Sequence, residues 1–176
     1  MNILIEKDKV IIDGVEYIKS TQLNESQTIE NKGYVFSQNS LNRLKGVSPK
    51  LVELAKKVIT ISPFDFLIVA GLRTAEEQNR LYQQGRTTQG LKVTNCDGYK
   101  NKSRHQAKSD GYSHAIDIAI YDPNITGKID WNSVNKYKAV VDVFKREAVK
   151  IGFEIEWGGD WTSFKDYPHI QIKELN

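Results

Sequence analysis

One cysteine, Cys96, stands in a chain of 176 residues, which excludes an internal disulfide. Cys96 is no candidate nucleophile either. It lies in Val93-Thr94-Asn95-Cys96-Asp97-Gly98, which reads as a strand end and turn, and a structural thiol is expected there. No uninterrupted apolar run is long enough to span a membrane, so insertion is not expected. The N-terminus, Met1-Asn2-Ile3-Leu4-Ile5-Glu6-Lys7, has no basic region followed by an apolar core. A secretory signal is therefore not expected, and synthesis in a cytoplasm is. Charge of one sign is also missing: 25 basic against 22 acidic side chains leave a net +3. That is too little to argue for nucleic acid, whose binders concentrate Lys and Arg on one face. Lys100, Lys102, Arg104 and Lys108 do form a local basic stretch. It reads as a solvated loop, with attraction to an anionic polymer as the sharper alternative.

What remains is an ordinary globular composition, 39% hydrophobic and 27% charged, of a length suited to one core-forming domain. Residues 3–18 read as a hairpin, with Val10–Ile12 and Val15–Ile18 flanking the turn signal Asp13-Gly14. Residues 19–33 are polar and read as a linker, so the expected division is 1–33 and 34–176. Ser48-Pro49 opens a helix carrying Leu51, Leu54, Ala55 and Val58 at helical spacing. Phe66–Ala70 reads as a buried strand. Thr74 and Glu77 form a capping box, opening a helix through Gln78, Leu81 and Tyr82 to Gly85. Residues 86–112 read as a long loop and Ala115–Ile120 as a strand. A second long helix runs from Val134 through Ala148 towards Gly152, and strands at 153–157 and 169–172 close the chain. The expected fold is α+β: a single domain with a small antiparallel sheet flanked by helices and an N-terminal β-hairpin extension.

Histidine is scarce too. All three, His105, His114 and His169, have an aspartate nearby in sequence, as in His114-Ala115-Ile116-Asp117 and Asp166-Tyr167-Pro168-His169. Two imidazoles and a carboxylate make a three-ligand zinc set with a fourth position for water. A second carboxylate beside that water suits a hydrolase. His105 precedes a strand, Asp117 lies on it, and His169 starts the last strand. Alternation puts Asp117 on the face opposite Ile116 and Ile118. An aspartate in so apolar a strand needs a metal or cationic partner; a structural salt bridge is the plainer reading.

These residues resemble a known family. Ser103-x-His105, His114-Ala115-x-Asp117 and Asp166-x-x-His169 look like the zinc peptidases of the D-alanyl-D-alanine carboxypeptidase and L-alanyl-D-glutamate peptidase group. That group includes phage endolysins and VanY- and VanX-type enzymes, and it shares its fold with the hedgehog signalling domain. Gly71-Leu72-Arg73-Thr74 with Glu77-Gln78 and Leu81-Tyr82 is similar to the group's arginine-bearing segment. Val93-Thr94-Asn95 and Trp157-Gly158-Gly159-Asp160-Trp161 are similar to its runs before the first and last histidines. The resemblance covers roughly residues 36–173.

The resemblance implies that His105, Asp117 and His169 bind zinc, that Asp166 is the catalytic carboxylate, and that Arg73 steadies a polarised carbonyl or grips a substrate carboxylate. Arg73, Ser103 and Gln78 are the implied substrate contacts. The implied partner is bacterial peptidoglycan, reached from the cytoplasm by holin-type release, and a monomer is expected. The most favoured activity is L-alanyl-D-glutamate endopeptidase. The alternatives are D-Ala-D-Ala carboxypeptidase and a non-catalytic zinc-stabilised wall-binding module. Two departures stand out. First histidine to aspartate is twelve residues here (117 − 105) against a common family spacing of seven, which makes Gln106–Tyr112 a loop insertion. Ser113 replaces a usual glycine, so its neighbour His114 competes with His105 as ligand. Trp157 and Trp161 read as core or cleft wall. A serine hydrolase centred on Ser113 is disfavoured because its strand follows the serine instead of preceding it.

Overall fold

The computed structural model describes residues 33–174 and, before them, the strands β1 (Ile3–Ile5), β2 (Lys9–Ile12) and β3 (Val15–Ile18). The chain divides into two compact units, Met1–Glu30 and Asn31–Asn176. In the first, the strands form an antiparallel sheet in the order β1-β2-β3, with Val10 opposite Tyr17 and Ile12 opposite Val15. The expected hairpin is present as β2 and β3, and β1 extends it to three strands. Asp13-Gly14 and the polar run of 19–32 lie outside the described residues.

The second unit contains α1 (Gln38–Arg43), α2 (Pro49–Ile61), β4 (Phe66–Ala70), α3 (Ala75–Gln83), β5 (Ala115–Tyr121), β6 (Ile129–Asp130), α4 (Val134–Lys150), β7 (Ile155–Trp157) and β8 (His169–Ile172). The sheet runs β4-β5-β8-β7, with β6 paired to β5, and every pairing is antiparallel. The α+β class and the longer elements are those expected from the sequence. Pro49 begins α2, but the Ser48 side chain makes no capping bond. Its backbone N–H instead donates to the Ser113 carbonyl at 2.9 Å. The Thr74–Glu77 capping box is complete in both directions.

The core lies on one face of the sheet. Ile116, Ile118 and Ile120 of β5 pack there with Leu51, Leu54 and Val58 of α2 and Tyr137, Val141 and Phe144 of α4. Each such fully buried aliphatic or aromatic side chain contributes about 1.5–3 kcal/mol. Alternation then turns Asp117 to the other face. The β4–β5 register shifts between Ile68 and Ala70. This bulge re-aims the chain just before Gly71–Arg73, a common device beside functional sites.

The long loop is tied down at its end. Ser113 N–H donates to Gly46 O at 2.9 Å, His114 N–H to Arg104 O at 3.0 Å and Lys108 N–H to Tyr112 O at 2.9 Å. The bonds at Lys108 and His114 close residues 104–114 on themselves. The extra residues therefore loop out, and His105 and Asp117 still meet despite their twelve-residue separation.

Candidate metal centre

Asp117 and His169 are direct cross-strand partners on β5 and β8, so both side chains rise from the same sheet face. His105 arrives from the loop. Its backbone is set by the Ser103 hydroxyl, which accepts from His105 N–H at 3.2 Å, and by Arg73 N–H, which donates to His105 O at 2.9 Å. The ligating atoms of the three residues converge. His105 Nε2 lies 3.0 Å from Asp117 Oδ1, His169 Nδ1 lies 3.1 Å from the same oxygen, and the two nitrogens are 3.2 Å apart.

The other ring nitrogens are engaged elsewhere. His105 Nδ1 donates to the Gly71 carbonyl at 2.7 Å. His169 Nε2 faces Gln171 Oε1 at 2.9 Å. In the neutral rings, two nitrogen lone pairs and a carboxylate oxygen therefore point at one spot, which calls for a cation. Nitrogen or oxygen ligands 2.0–2.1 Å from a tetrahedral zinc are about 3.3 Å apart, and the observed spacing fits that ion. Among the described residues, His105, Asp117 and His169 form the group able to hold a metal.

The second carboxylate oxygen of Asp117 is also held, by Arg73 Nη2 at 2.5 Å. Arg73 Nη1 in turn donates to Gln78 Oε1 at 3.4 Å. Burial alone would raise the Asp117 carboxyl, but the charge and hydrogen bonds of the two imidazoles hold it well below the usual range. Burial pulls His169 down, yet Asp117 beside it raises it overall.

These three residues and Asp166 line one cleft of about 850 Å³, together with Arg73, Ser103, Lys102, Arg104, Trp131, Trp161 and Phe164. Burial, aided by the negative charge of Asp117, pushes the Asp166 carboxyl up from its ordinary value. A cation at the triad would oppose that shift. Two glycines make the approach possible. A Cβ at Gly71 would collide with the Arg43 carbonyl, and one at Gly158 with the Asp166 backbone.

The remaining sequence candidates sort themselves by contact. His114 is no competitor for the centre: its Nε2 meets Asp110 Oδ2 at 2.8 Å, and it lines a separate cavity with Lys50 and Phe153. Gln78 is fully buried, and its amide donates to Thr94 Oγ1 and Cys96 O, both at 3.1 Å. It braces Arg73 from behind instead of facing the cleft. Cys96 is half-buried and its thiol is pushed up by burial, as a structural thiol should be. Ser113 is buried with its hydroxyl on Ala115 O, which leaves the serine-hydrolase reading without a nucleophile. Trp157 is core and donates to Tyr167 O at 2.7 Å. Trp161 is cleft wall, its ring 5.2 Å from that of His169. Arg104 and Lys108 of the basic stretch both pair with Glu174.

Two contacts carry no mark in the sequence: the Gly71 carbonyl on His105 and Gln171 on His169. Gln171 was within reach, since it lies two residues after His169 on a strand and so shares its face.

Known proteins carry the same frame. A protein of Escherichia phage T5 named L-alanyl-D-glutamate peptidase is 34% identical over 140 residues, covering 80% of this chain and 90% of its own length. Bacillus subtilis (strain 168) CwlK, named peptidoglycan L-alanyl-D-glutamate endopeptidase, is 39% identical over 120 residues, 61% of this chain and 60% of CwlK. The crystal structure of Serratia marcescens ChiX, an L-Ala D-Glu endopeptidase, superposes with a TM-score of 0.61 at 26% identity, covering 82% of this chain and 93% of ChiX. The family model for phage L-alanyl-D-glutamate peptidase matches residues 32–175. By that match and those relatives, the chain belongs to the phage L-alanyl-D-glutamate peptidase family.

Proposed function

We propose that this chain is a zinc-dependent peptidoglycan hydrolase that cuts the L-alanyl–D-glutamate bond of stem peptides, in the manner of a phage endolysin. The observation that carries the reading is the convergence of three metal-seeking atoms at 3.0–3.2 Å, in the same cleft as Asp166. His105, Asp117 and His169 would hold the ion. When bound, zinc supplies a Lewis acid and lowers the pKa of water towards about 7.

The protein's own groups do the rest. Asp166 takes the proton of the attacking water and returns it to the nitrogen of the departing D-glutamate. Its position is set by main-chain bonds: its N–H donates to Gly158 O at 3.1 Å, and its carbonyl accepts from His169 N–H at 3.2 Å. Arg73 keeps Asp117 Oδ1 turned to the imidazoles by holding Oδ2. Its guanidinium has five N–H donors, and those not used on Asp117 and Gln78 are available to the scissile carbonyl as negative charge develops. Lys102 on the cleft wall suits a substrate that carries carboxylates. No helix among the described residues is long and apolar enough to cross a membrane. The proposed route to the wall is release from the cell that makes the protein, which acts as a monomer.

Chelation followed by zinc addition tests the metal, and Asp166→Asn tests the carboxylate. Activity should vanish and return in the first case. In the second it should fall by about 10²-fold or more with zinc content intact. Chelator-resistant activity would overturn the metal reading, and unchanged turnover in Asp166→Asn would remove that residue from the mechanism.

A further inference from the structure

Behind His169 runs a chain of polar groups that the proposed chemistry does not use. Gln171 Oε1 lies 2.9 Å from His169 Nε2. Gln171 Nε2 donates to Glu156 Oε2 at 2.9 Å, and Trp161 Nε1–H donates to Glu156 Oε1. Glu156 and Gln171 are cross-strand partners on β7 and β8, and Gln171 shares the His169 face by strand alternation. Gln171 is buried, and the Trp161 ring rests against the His169 ring.

The direction of every proton in this chain is fixed by one end. An ionised carboxylate only accepts hydrogen bonds. Glu156 therefore demands the NH₂ end of the Gln171 amide, which leaves the carbonyl end facing His169. A carbonyl only accepts, so His169 must carry its proton on Nε2. The Nδ1 lone pair is then free, and that atom stands 3.1 Å from Asp117 Oδ1 and 3.2 Å from His105 Nε2.

We propose that Glu156 and Gln171 are positioning residues that set the tautomer and ring orientation of His169 for metal binding, with the carboxylate of Glu156 as the origin of the order. The inference rests on His169 being a zinc ligand, as proposed above. It extends that reading to two residues that would not ligate the ion: Gln171, which touches His169, and Glu156, which acts through Gln171. Outer partners of metal-bound imidazoles generally govern affinity by about 10–100-fold.

Two variants separate polarity from packing. Glu156→Gln keeps the size of the side chain but can offer an NH₂ group to Gln171. The Gln171 amide is then free to turn and donate to His169 Nε2, which places the ring proton on Nδ1, the wrong nitrogen. The double variant Glu156→Gln/Gln171→Glu reverses the two groups. The carboxylate now sits beside His169 and accepts from Nε2–H, while the new amide at 156 donates to that carboxylate and still accepts from Trp161.

The experiment measures zinc affinity of the full chain by competition with a chromophoric chelator. The protonated ring nitrogen of His169 is read by long-range ¹H–¹⁵N correlation in the metal-free proteins at alkaline pH, because zinc on Nδ1 would itself hold the proton on Nε2, and thermal unfolding checks that each variant is folded. Glu156→Gln should bind zinc about 10–100-fold more weakly than wild type. The double variant should recover most of that loss, with the proton on Nε2. A purely structural role predicts two additive losses and no recovery. Wild-type affinity in Glu156→Gln, or a double variant no better than the single one, would overturn the proposal while leaving the zinc site standing. If wild type and His169→Ala bind zinc alike, the metal reading itself fails and this inference with it.

Discussion

Gly158→Ala should damage catalysis while sparing the metal site. The added Cβ would sit 3.0 Å from Asp166 Cβ and 3.2 Å from Asp166 C, and closer still to the Asp166 carbonyl oxygen. Carbon atoms pack at about 3.5–4.0 Å, so the segment bearing Asp166 must back away by roughly 0.5–1 Å. Such overpacking costs about 1–3 kcal/mol in stability. A misplacement of about 1 Å in a reacting group costs on the order of 10²-fold in rate. The sign of the stability change is diagnostic. Gly158 is not among the glycines with positive φ, so alanine is allowed by the backbone, and without the clash it would stabilise by about 0.4–1 kcal/mol. The assay pairs thermal unfolding with turnover of purified peptidoglycan, and zinc content is measured on the same samples. We expect a lower melting temperature, kcat/KM down by about 10²-fold and zinc retained, because the added Cβ meets Asp166 while the ligand side chains keep their own partners, the Gly71 carbonyl, Arg73 and Gln171. A variant that is more stable and fully active would refute the placement of Asp166.

Two further outcomes follow, one at the cleft and one in the core. Arg73→Lys replaces the planar fork, whose two nitrogens hold Asp117 Oδ2 and Gln78 Oε1, by a single ammonium nitrogen, and a charged hydrogen bond is worth about 1.5–3 kcal/mol. Its kcat/KM should fall by about 10–100-fold, mainly in kcat if the guanidinium meets the developing oxyanion; wild-type kinetics would reduce Arg73 to an ion-pair partner. The phenol of Tyr137 is pushed up to about 12 by burial. A raised folded pKa favours the protonated state, so its contribution is fully present below pH about 10 and is lost as pH rises through about 12. In an alkaline ultraviolet titration one tyrosine should ionise only together with unfolding, and its ionisation near pH 10 in the folded protein would contradict the burial.

The elements that position the site were readable because each carries its own local signal. Pro49 starts α2, the Thr74–Glu77 box starts α3, and the apolar run of β5 is long enough to be unmistakable. Asp117 announced itself by being a carboxylate among isoleucines. The short elements were not readable. Six residues of α1, Gln38-Asn39-Ser40-Leu41-Asn42-Arg43, carry one large apolar side chain and no helical stripe. Its N-terminus is made by Ser37, whose hydroxyl accepts from Ser40 N–H, and it is held to β4 by Arg43 on Ile68 O. The two residues of β6 exist as a strand only through pairing with β5. Roles set by three-dimensional contact were equally hidden. Nothing in the sequence distinguishes a Gln78 that braces Arg73 from one that faces substrate, or a His114 paired with Asp110 from one at the centre. The twelve-residue spacing reads as a loop insertion in the sequence. It is harmless because main-chain bonds at Arg104, Lys108, Tyr112 and His114 close the loop before the strand begins.

The central claim is the bond that is cut, and mass analysis of a peptidoglycan digest reads it directly. The wild-type, zinc-loaded protein should release stem peptides that begin with D-glutamate and leave L-alanine on the glycan. Asp166→Asn should release almost none under the same conditions. Stem peptides that remain attached and have lost only a terminal D-alanine would contradict the account and make the chain a carboxypeptidase.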